Sequence, residues 1–320
     1  MANNDRMRRG AGRPWRRLLF LLILVPTGGG PLPGPEAFGQ DLPFAMDDFF
    51  RNWMRMTPDQ REQLRNVDVP WQIERDQGRA TFEAYRRQLE QRGVRLSDDS
   101  PDARYLQELV ARVRPLMRNS RRYRRIEVYV ADAAEVDARS IPGGYLVFHR
   151  GLLDFAESEA ALVGIVGHEL SHLDRKHQLK PVQQWILAND RLGRADRMRP
   201  ADFVSLGMGM MHSFHPFHPE EEEEADLDGV EWMHRLGYDA RELARLFQRL
   251  AERGRGNGPA NLPPFLRTHP LFPDRAAMVL RHYRLMQKQL PRAELVAGRE
   301  ALAARAPAAL PGQGPGRGRR

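Results

Sequence analysis

One short motif constrains this chain more than any other stretch, and it reads H-E-x-x-H at residues 168–172. The seven residues at 160–166 are apolar or small and contain no turn signal, so we predict a buried helix. Residues four apart on a helix differ by only about 40° around its axis, so His168 and His172 project from one face. An unpaired histidine or glutamate would be costly in such a helix, and a shared metal ion would remove that cost.

The motif predicts a zinc site. Two imidazoles one turn apart can both reach one zinc ion, and Glu169 is placed to hold the water on the metal rather than the metal itself. The alternative is an exposed helix on which a glutamate and a histidine form a surface pair. The apolar residues before the motif argue against that alternative. A zinc site of this kind needs a third protein ligand, which must come from elsewhere in the sequence.

The composition excludes several other kinds of site. The 320 residues are 41% hydrophobic and 29% charged, which is ordinary for a globular chain with one sizeable core. The sequence has no cysteine, which excludes disulfides, thiolate catalysis and cysteine-bound zinc. The formal net charge is +8, and half of it lies in residues 1–39, where six arginines face one aspartate and one glutamate. The rest of the chain is nearly neutral, so we expect no nucleic-acid partner.

We predict that residues 1–39 form an export signal. Arginines precede the eight apolar residues at 18–25, and a proline and three glycines follow them. Eight apolar residues are too few to span a bilayer and suit the apolar centre of a signal peptide. Small residues at 37 and 39 predict cleavage near residue 39 and a periplasmic chain. An uncleaved anchor is the alternative.

The rest of the chain is predicted to be mainly helical, with a small sheet beside the metal-binding helix. Helical spacing dominates residues 40–125, an N-terminal helical region, whereas residues 126–305 combine strands with the metal motif. Further helices are predicted over residues 240–254 and 274–305. Residues 306–320 are rich in proline, glycine and arginine, and we predict a disordered basic tail.

Two strands are predicted before the metal motif. Residues 126–130 alternate between polar and apolar, and residues 145–149 form the second strand, directly after two glycines. The glycine pair indicates a bulge, room for a close backbone approach, or an ordinary hairpin turn. An edge strand beside a metal site suits a cleft that pairs with an extended peptide. Gly143, Gly144 and Tyr145 are therefore candidate substrate-binding residues.

Two further clusters each have a plain and a functional interpretation. The arginines between residues 112 and 125 form either a solvated face or a contact for an acidic membrane surface. His212, His215 and His218 are spaced three apart and invite a second metal site. The prolines among them forbid a single helical face, so we expect a loop over the cleft.

Candidates for the third ligand lie in the acidic run at residues 220–226. Negative charge is favoured at a helix start, and a solvated acidic cap explains most of these side chains. Glu222 and Asp226 are four residues apart and share one helix face. One of them can therefore bind the zinc while the other accepts a hydrogen bond from a ligand histidine and fixes its tautomer. The spacing alone leaves three other glutamates open as ligands, and these are Glu221, Glu223 and Glu224.

These residues together resemble the HtpX/BepA-like zinc metallopeptidases, a gluzincin family that includes the CAAX prenyl protease. The family pattern is H-E-x-x-H followed about 50 residues later by E-x-x-x-D with an alanine before the aspartate, here Glu222, Ala225 and Asp226. The resemblance covers about residues 72–285. Its other matching segments are Pro142-Gly143-Gly144-Tyr145-Leu146, Arg150-Gly151-Leu152-Leu153, Gly237-Tyr238-Asp239, and Thr268-His269-Pro270 with Arg275 beyond.

The resemblance implies a zincin-like (gluzincin) α+β fold and one Zn²⁺ per chain. The metal ligands that it implies are His168, His172 and Glu222. Glu169 would act as the general base, and Asp226 would orient a ligand histidine, with His168 as the first choice.

The Thr-His-Pro segment adds a further candidate. In relatives this histidine can approach the zinc, so the resemblance implies that His269 is a fourth ligand that closes the site or a stabiliser of the oxyanion. Tyr238 and Arg275 are weaker candidates for oxyanion support. One departure concerns the substrate, because residues 137–140 read Asp-Ala-Arg-Ser where relatives usually carry Asn-Ala-Phe.

We therefore expect a zinc endopeptidase that cleaves misfolded or stalled envelope proteins, of the periplasmic type without C-terminal helical repeats. Its expected partners are unfolded protein substrates, with the membrane surface or the outer-membrane assembly machinery as further candidates. One alternative is a chaperone-like assembly factor for outer-membrane proteins with latent peptidase activity. Another is a domain in which zinc is purely structural.

Overall fold

The computed structural model describes residues 57–190, 217–255, 262–270 and 274–311. The predictions for the export signal, His212 and His215 lie outside these residues. None of the described helices is long and apolar enough to cross a membrane. The described helices are α1 (Pro58–Arg65), α2 (Trp71–Gln91), α3 (Pro101–Val113), α4 (Arg150–Phe155), α5 (Glu159–Asp174), α6 (Lys180–Asp190), α7 (Pro219–Leu236), α8 (Arg241–Gly254), α9 (Pro264–Thr268), α10 (Arg275–Gln289) and α11 (Arg299–Ala304).

Polar side chains set where several of these helices begin. Thr57, Ser100 and Ser158 each accept a hydrogen bond from the backbone N–H three residues further on, which satisfies one of the unpaired donors at a helix start. Helix α7 ends at Leu236, and the next residue, Gly237, caps it in the left-handed conformation with a φ of 93°. Local sequence therefore fixes the lengths of the helices that carry the site.

A four-stranded sheet lies beside α5, in the order β1 (Leu96–Ser97), β2 (Glu127–Ala131), β4 (Tyr145–His149), β3 (Ala138–Ile141). Strands β2 and β4 are parallel, and β3 and β4 form an antiparallel hairpin. The mainly helical fold with a small sheet is as predicted, and so are β2 and β4. Strand β3 was not predicted because Arg139 and Ser140 interrupt its apolar pattern. It forms one edge of the sheet, and Ser140 faces α5.

The main core joins α3, one face of the sheet, α5, α7 and α8. Every residue of α5 is buried, as its apolar sequence predicts. The core extends from Ala103 in α3 to Leu310 near the end of the described chain, so the boundary predicted at residue 125 has no counterpart in it. Helix α2 covers the other face of the sheet, where the Phe82 ring stacks on Tyr145.

Two predictions for the C-terminal part need correction. The predicted helix over residues 274–305 is interrupted between α10 and α11, where Pro291 disfavours a helical residue before it. The predicted disordered tail is ordered as far as residue 311. Its Leu310 is buried in the core, and the Ala308 amide donates to the buried carboxylate of Glu159. The prolines, glycines and arginines of residues 311–320 dominated the prediction, whereas both anchoring contacts come from the short apolar stretch before them.

Helices α5 and α7 cross at glycines, and they form the most extensive contact between two helices of the described fold. A Cβ on Gly167 would lie 3.0 Å from the Cα of Gly229, and a Cβ on Gly229 would lie 3.3 Å from the carbonyl oxygen of Gly164. The two backbones therefore touch without side chains between them. Side chains next to the crossing on one helix can reach those on the other.

A buried carboxylate locks the same crossing from one side. Asp228 on α7 accepts hydrogen bonds from the Ser171 hydroxyl at 2.7 Å and from the guanidinium groups of Arg175 and Arg118. Burial alone would raise the pKa of Asp228, but these hydrogen bonds outweigh it and hold the pKa well below its ordinary value. The Asp228 carboxylate is therefore ionised throughout the neutral and mildly acidic range.

The low pKa of Asp228 predicts acid sensitivity. A carboxyl whose pKa is lowered by folding stabilises the fold above its unfolded pKa, about 3.9 for Asp, and loses that contribution as the pH falls further. We expect the free energy of unfolding to decline from about pH 5 towards pH 2, and to decline less steeply in Asp228→Asn. Urea unfolding at a series of pH values measures both slopes. Exposed Asp59→Asn is the control, and equal slopes in Asp228→Asn and wild type would contradict the prediction.

Candidate metal centre

Four buried side chains direct ligand atoms to one point, and together they could hold a metal ion. His168 and His172 come from α5, Glu222 from the first turn of α7, and His269 from the residue after α9. The two Nε2 atoms of α5 are 3.0 Å apart, the Nε2 of His168 is 3.1 Å from the Nδ1 of His269, and that Nδ1 is 3.0 Å from the Oε1 of Glu222. Ligand atoms about 2.1 Å from a tetrahedral zinc ion are about 3.4 Å apart, so the spacing fits such an ion after a small expansion.

A second layer of charge orients these ligands. The Oδ1 of Asp226 lies 2.9 Å from the Nδ1 of His168, so that histidine turns its Nε2 toward the group. The buried guanidinium of Arg275 donates to both oxygens of Asp226, at 2.7 and 2.8 Å, and to the Oε2 of Glu222. Arg275 therefore holds Glu222, which is a candidate ligand, and Asp226, which orients the candidate ligand His168.

The pKa directions give two of the four side chains, Glu222 and His172, the protonation states that a bound cation needs. Burial would raise the pKa of Glu222, but the charge of Arg275 and the neighbouring histidines lower it well below its usual value. Burial lowers the pKa of His172 far below its ordinary value. The carboxylate is therefore ionised and His172 is neutral at pH 7, so both have lone pairs to offer. Burial acts against protonation of His269 too, but the charges of Glu222 and Glu169 raise its pKa.

Glu169 lies at the group without being part of it. Its Oε2 accepts a hydrogen bond of 2.8 Å from the Ser140 hydroxyl on β3, and its buried Oε1 has no hydrogen-bond donor among the described residues. That Oε1 is 3.4 Å from the Nε2 of His269. A buried carboxylate oxygen without a donor is costly, and a water at the group would satisfy it.

Aromatic rings cover the group. The ring of Phe217 stacks on that of His172 at 3.8 Å, and the ring of Phe265 stacks on that of His269 at 4.6 Å. The amide of Phe217 donates to the carbonyl oxygen of Thr268, which ties the start of α7 to the segment that carries His269. The described structure is therefore a closed form of the site.

The structure brings six predicted site residues together, and these are His168, Glu169, His172, Glu222, Asp226 and His269. The other glutamates of the acidic run have different positions. Glu221 accepts from the amide of His218 as part of a capping box, Glu223 is exposed, and Glu224 lies beside His177. His218 itself caps α7.

The residues predicted to bind substrate lie elsewhere. Gly143 and Gly144 have φ values of 81° and 93° and form the turn between β3 and β4, which accounts for both glycines. Tyr145 pairs with Ile141 on one side and Glu127 on the other, so β4 is a central strand. The free edge beside α5 is β3. The substrate role predicted for Gly143, Gly144 and Tyr145 therefore has no support in the structure.

The other two residues predicted to support the oxyanion have different roles: Tyr238 lies away from the group, and Arg275 contacts it only through Glu222. The Tyr238 hydroxyl donates to Glu159 at 2.6 Å and accepts from Arg112, at the opposite end of α5. Arg275 is committed to the two carboxylates of α7. Both side chains have structural partners instead.

Sequence reasoning missed three polar residues around the group. Ser140 donates to Glu169, Gln178 donates to the Ser140 hydroxyl at 2.7 Å, and the Nδ1 of His177 lies 2.9 Å from the Nδ1 of His172. Ser140 and Gln178 carry no signal in a single sequence. A third histidine five residues after the motif is a visible signal, but its role depends on how the chain turns after α5.

Comparison with known proteins agrees with this geometry. A family model for peptidase family M48 matches residues 101–282, more than half of the chain. A protein of Vibrio cholerae serotype O1 described as a β-barrel assembly-enhancing protease is 28% identical over 152 residues, or 44% of this chain and 31% of that protein. The β-barrel assembly-enhancing proteases of Escherichia coli K12 and Yersinia pestis are each 25% identical over 154 residues, 45% of this chain and 31% of theirs. The matched region thus spans about a third of the length of these relatives.

The buried position of Arg275 predicts a large effect of its removal. In Arg275→Met, Glu222 and Asp226 lose their shared cation and remain buried, and breaking a buried ion pair from one side costs about 3–5 kcal/mol. We expect the metal-free variant to unfold at a much lower urea concentration, with zinc restoring part of the difference. Arg267→Met, an exposed change on α9, is the control. A variant as stable as Arg267→Met would contradict the role assigned to Arg275.

Proposed function

The chain belongs to peptidase family M48, a family of metallopeptidases, and we propose that it is a zinc endopeptidase whose ion is held by His168, His172 and Glu222. The observation that carries the proposal is the convergence of these three ligand atoms beside a carboxylate that is not a ligand. Two imidazoles and a glutamate are a common ligand set of catalytic zinc. When bound, zinc acts as a Lewis acid that polarises a carbonyl and acidifies water.

We assign the proton transfers to Glu169. Its Oε1 is buried and has no donor among the described residues, so it can accept a proton from the attacking water and release it to the leaving amine. The Ser140 hydroxyl holds the Oε2, which fixes the direction in which the Oε1 points. Asp226 holds His168 with its Nε2 toward the ion, and Arg275 holds Asp226 and Glu222 in place.

We propose that the substrate is an extended peptide that adds to the free edge of β3. This strand is the edge of the sheet next to Glu169, and no described strand pairs with its outer side, so that side can form backbone hydrogen bonds with a peptide of any sequence. Gln178 donates to the backbone carbonyl oxygen of Ser140 at 3.3 Å. The N–H of an incoming peptide would replace the Gln178 side chain as the donor to that oxygen. Backbone recognition suits unfolded proteins as substrates.

We base a proposal for the cellular role on the names of the relatives. Those reported above are named β-barrel assembly-enhancing proteases, so we propose that this chain cleaves misfolded or stalled envelope proteins in the periplasm, close to the outer-membrane assembly machinery. The export signal predicted at residues 1–39 supports this location.

Glu169→Gln tests the peptidase assignment. The amide cannot accept the proton but keeps the shape of the carboxylate, so we expect digestion of unfolded casein to fall at least about 100-fold while zinc binding is retained. A chelator should abolish wild-type digestion, and added zinc should restore it. Glu223→Gln, an exposed glutamate in the acidic run, serves as the control. Unchanged digestion by Glu169→Gln would refute the assignment.

A second candidate function is a chaperone-like assembly factor whose peptidase is latent. The observation that favours it is the closed form of the group, in which His269 supplies a fourth ligand atom and Phe217 covers His172. Zinc sites with four protein ligands are usually structural, whereas catalytic sites keep an open position. In this form, His269 would have to leave before a water and a peptide carbonyl could enter.

Replacing His269 separates the two candidates. If the site is latent, His269→Ala opens a coordination position, and we expect casein digestion to increase several-fold over wild type. If wild type already works as a peptidase with His269 supporting the oxyanion, the same change should lower digestion by about 100-fold. Initial rates at equal zinc occupancy measure the difference. Unchanged rates would contradict both roles of His269.

A further inference from the structure

The histidine that follows the metal motif lies directly behind one of the proposed ligands. His177 is buried, its Nδ1 lies 2.9 Å from the Nδ1 of His172, and the two rings meet nearly at right angles. Its other nitrogen, Nε2, lies 3.1 Å from the Oε2 of Glu224 on α7. Glu224 is in turn paired with Arg65 at 3.0 Å and with Arg175 at 3.3 Å.

The backbone holds His177 in this position at some cost. Helix α5 ends at Asp174, and Lys176 then adopts a φ of 60° and a ψ of 32°, a left-handed conformation that lysine rarely takes. This turn directs the short helical segment His177–Leu179 back over the last turn of α5. Strained residues of this kind persist where the surrounding contacts require them.

The hydrogen-bond roles along this row of side chains are determined by chemistry. His172 faces the group with its Nε2, so in the proposed zinc site the neutral ring carries its proton on Nδ1. That N–H must donate to the Nδ1 of His177, which therefore carries no proton. The proton of His177 is then on Nε2 and is donated to the carboxylate of Glu224, which can only accept.

We propose that His177 is a positioning residue, which together with Glu224 fixes the tautomer and orientation of His172 for metal binding. The inference rests on the proposed zinc site and extends it. Each metal-facing histidine of α5 then has its own carboxylate on α7. Asp226 contacts His168 directly, and Glu224 acts on His172 through His177. Partners behind metal-binding histidines of this kind contribute about 10–100-fold to metal affinity.

Zinc affinity of the whole chain, measured by competition with a chelator of known affinity, tests the proposal. We expect His177→Leu to bind Zn²⁺ about 10–100-fold more weakly than wild type. His177→Asn retains an acceptor oxygen near the position of Nδ1, so it should recover most of that loss. Cobalt absorption spectra provide an independent readout, because a rotated His172 changes the visible bands of bound Co²⁺. Leucine and asparagine variants with equal affinities would overturn the proposal.

A matched pair on α7 keeps the test decisive if His177→Leu does not fold. Glu224→Gln removes the charge behind His177, and Glu223→Gln makes the same change at the exposed neighbouring position. We expect Glu224→Gln to bind zinc about tenfold more weakly and Glu223→Gln to match wild type. Equal zinc affinities for the two variants would refute the action of Glu224 on His172 through His177, while leaving the zinc site intact. Failure of wild type to bind zinc would instead overturn the zinc site and this inference together.

Discussion

The close crossing of α5 and α7 is the contact on which the site depends. Gly167 and Gly229 bring the two backbones together, so ligands from one helix meet ligands from the other without long side chains between them. The Asp228 carboxylate, held by Ser171 and Arg175, then fixes the crossing from one side. Two imidazoles and a carboxylate can therefore converge in a fully buried position.

The burial of so many charges is tolerable only because nearly every one has a partner. Four carboxylates of α7 each contact a histidine or an arginine side chain, and these are Glu222, Glu224, Asp226 and Asp228. The exception among the proposed catalytic residues is the Oε1 of Glu169, which has no hydrogen-bond donor in the described part of the chain. A buried acceptor next to a set of ligands is placed to hold a water and take its proton, which is what a general base requires.

Much of the site could be predicted from the sequence because two of its parts follow helical periodicity. His168 and His172, and likewise Glu222 and Asp226, are separated by one helical turn, and that spacing alone places each pair on one face. The choice of Glu222 over the neighbouring glutamates also needed the family resemblance, and His269 came from that resemblance entirely, since a histidine in a loop carries no periodicity. The relation of His177 to His172 could not be foreseen, because it depends on the left-handed Lys176.

The sheet was harder to predict for a physical reason. The edge strand β3 contains Arg139 and Ser140, whose polar side chains have partners inside the fold and so break the usual alternation. The glycine pair at 143 and 144 was assigned to substrate binding, whereas its positive φ angles serve the turn that follows β3. Pairing order, which determines the free edge, is a tertiary property that short sequence windows do not contain.

The most direct measurement of the central claim is anomalous scattering at the zinc edge from crystals of the zinc-loaded chain. The account predicts one peak per chain, about 2.0–2.2 Å from the Nε2 atoms of His168 and His172 and from the carboxylate of Glu222. A peak bound to other side chains, or none at these three atoms, would contradict it.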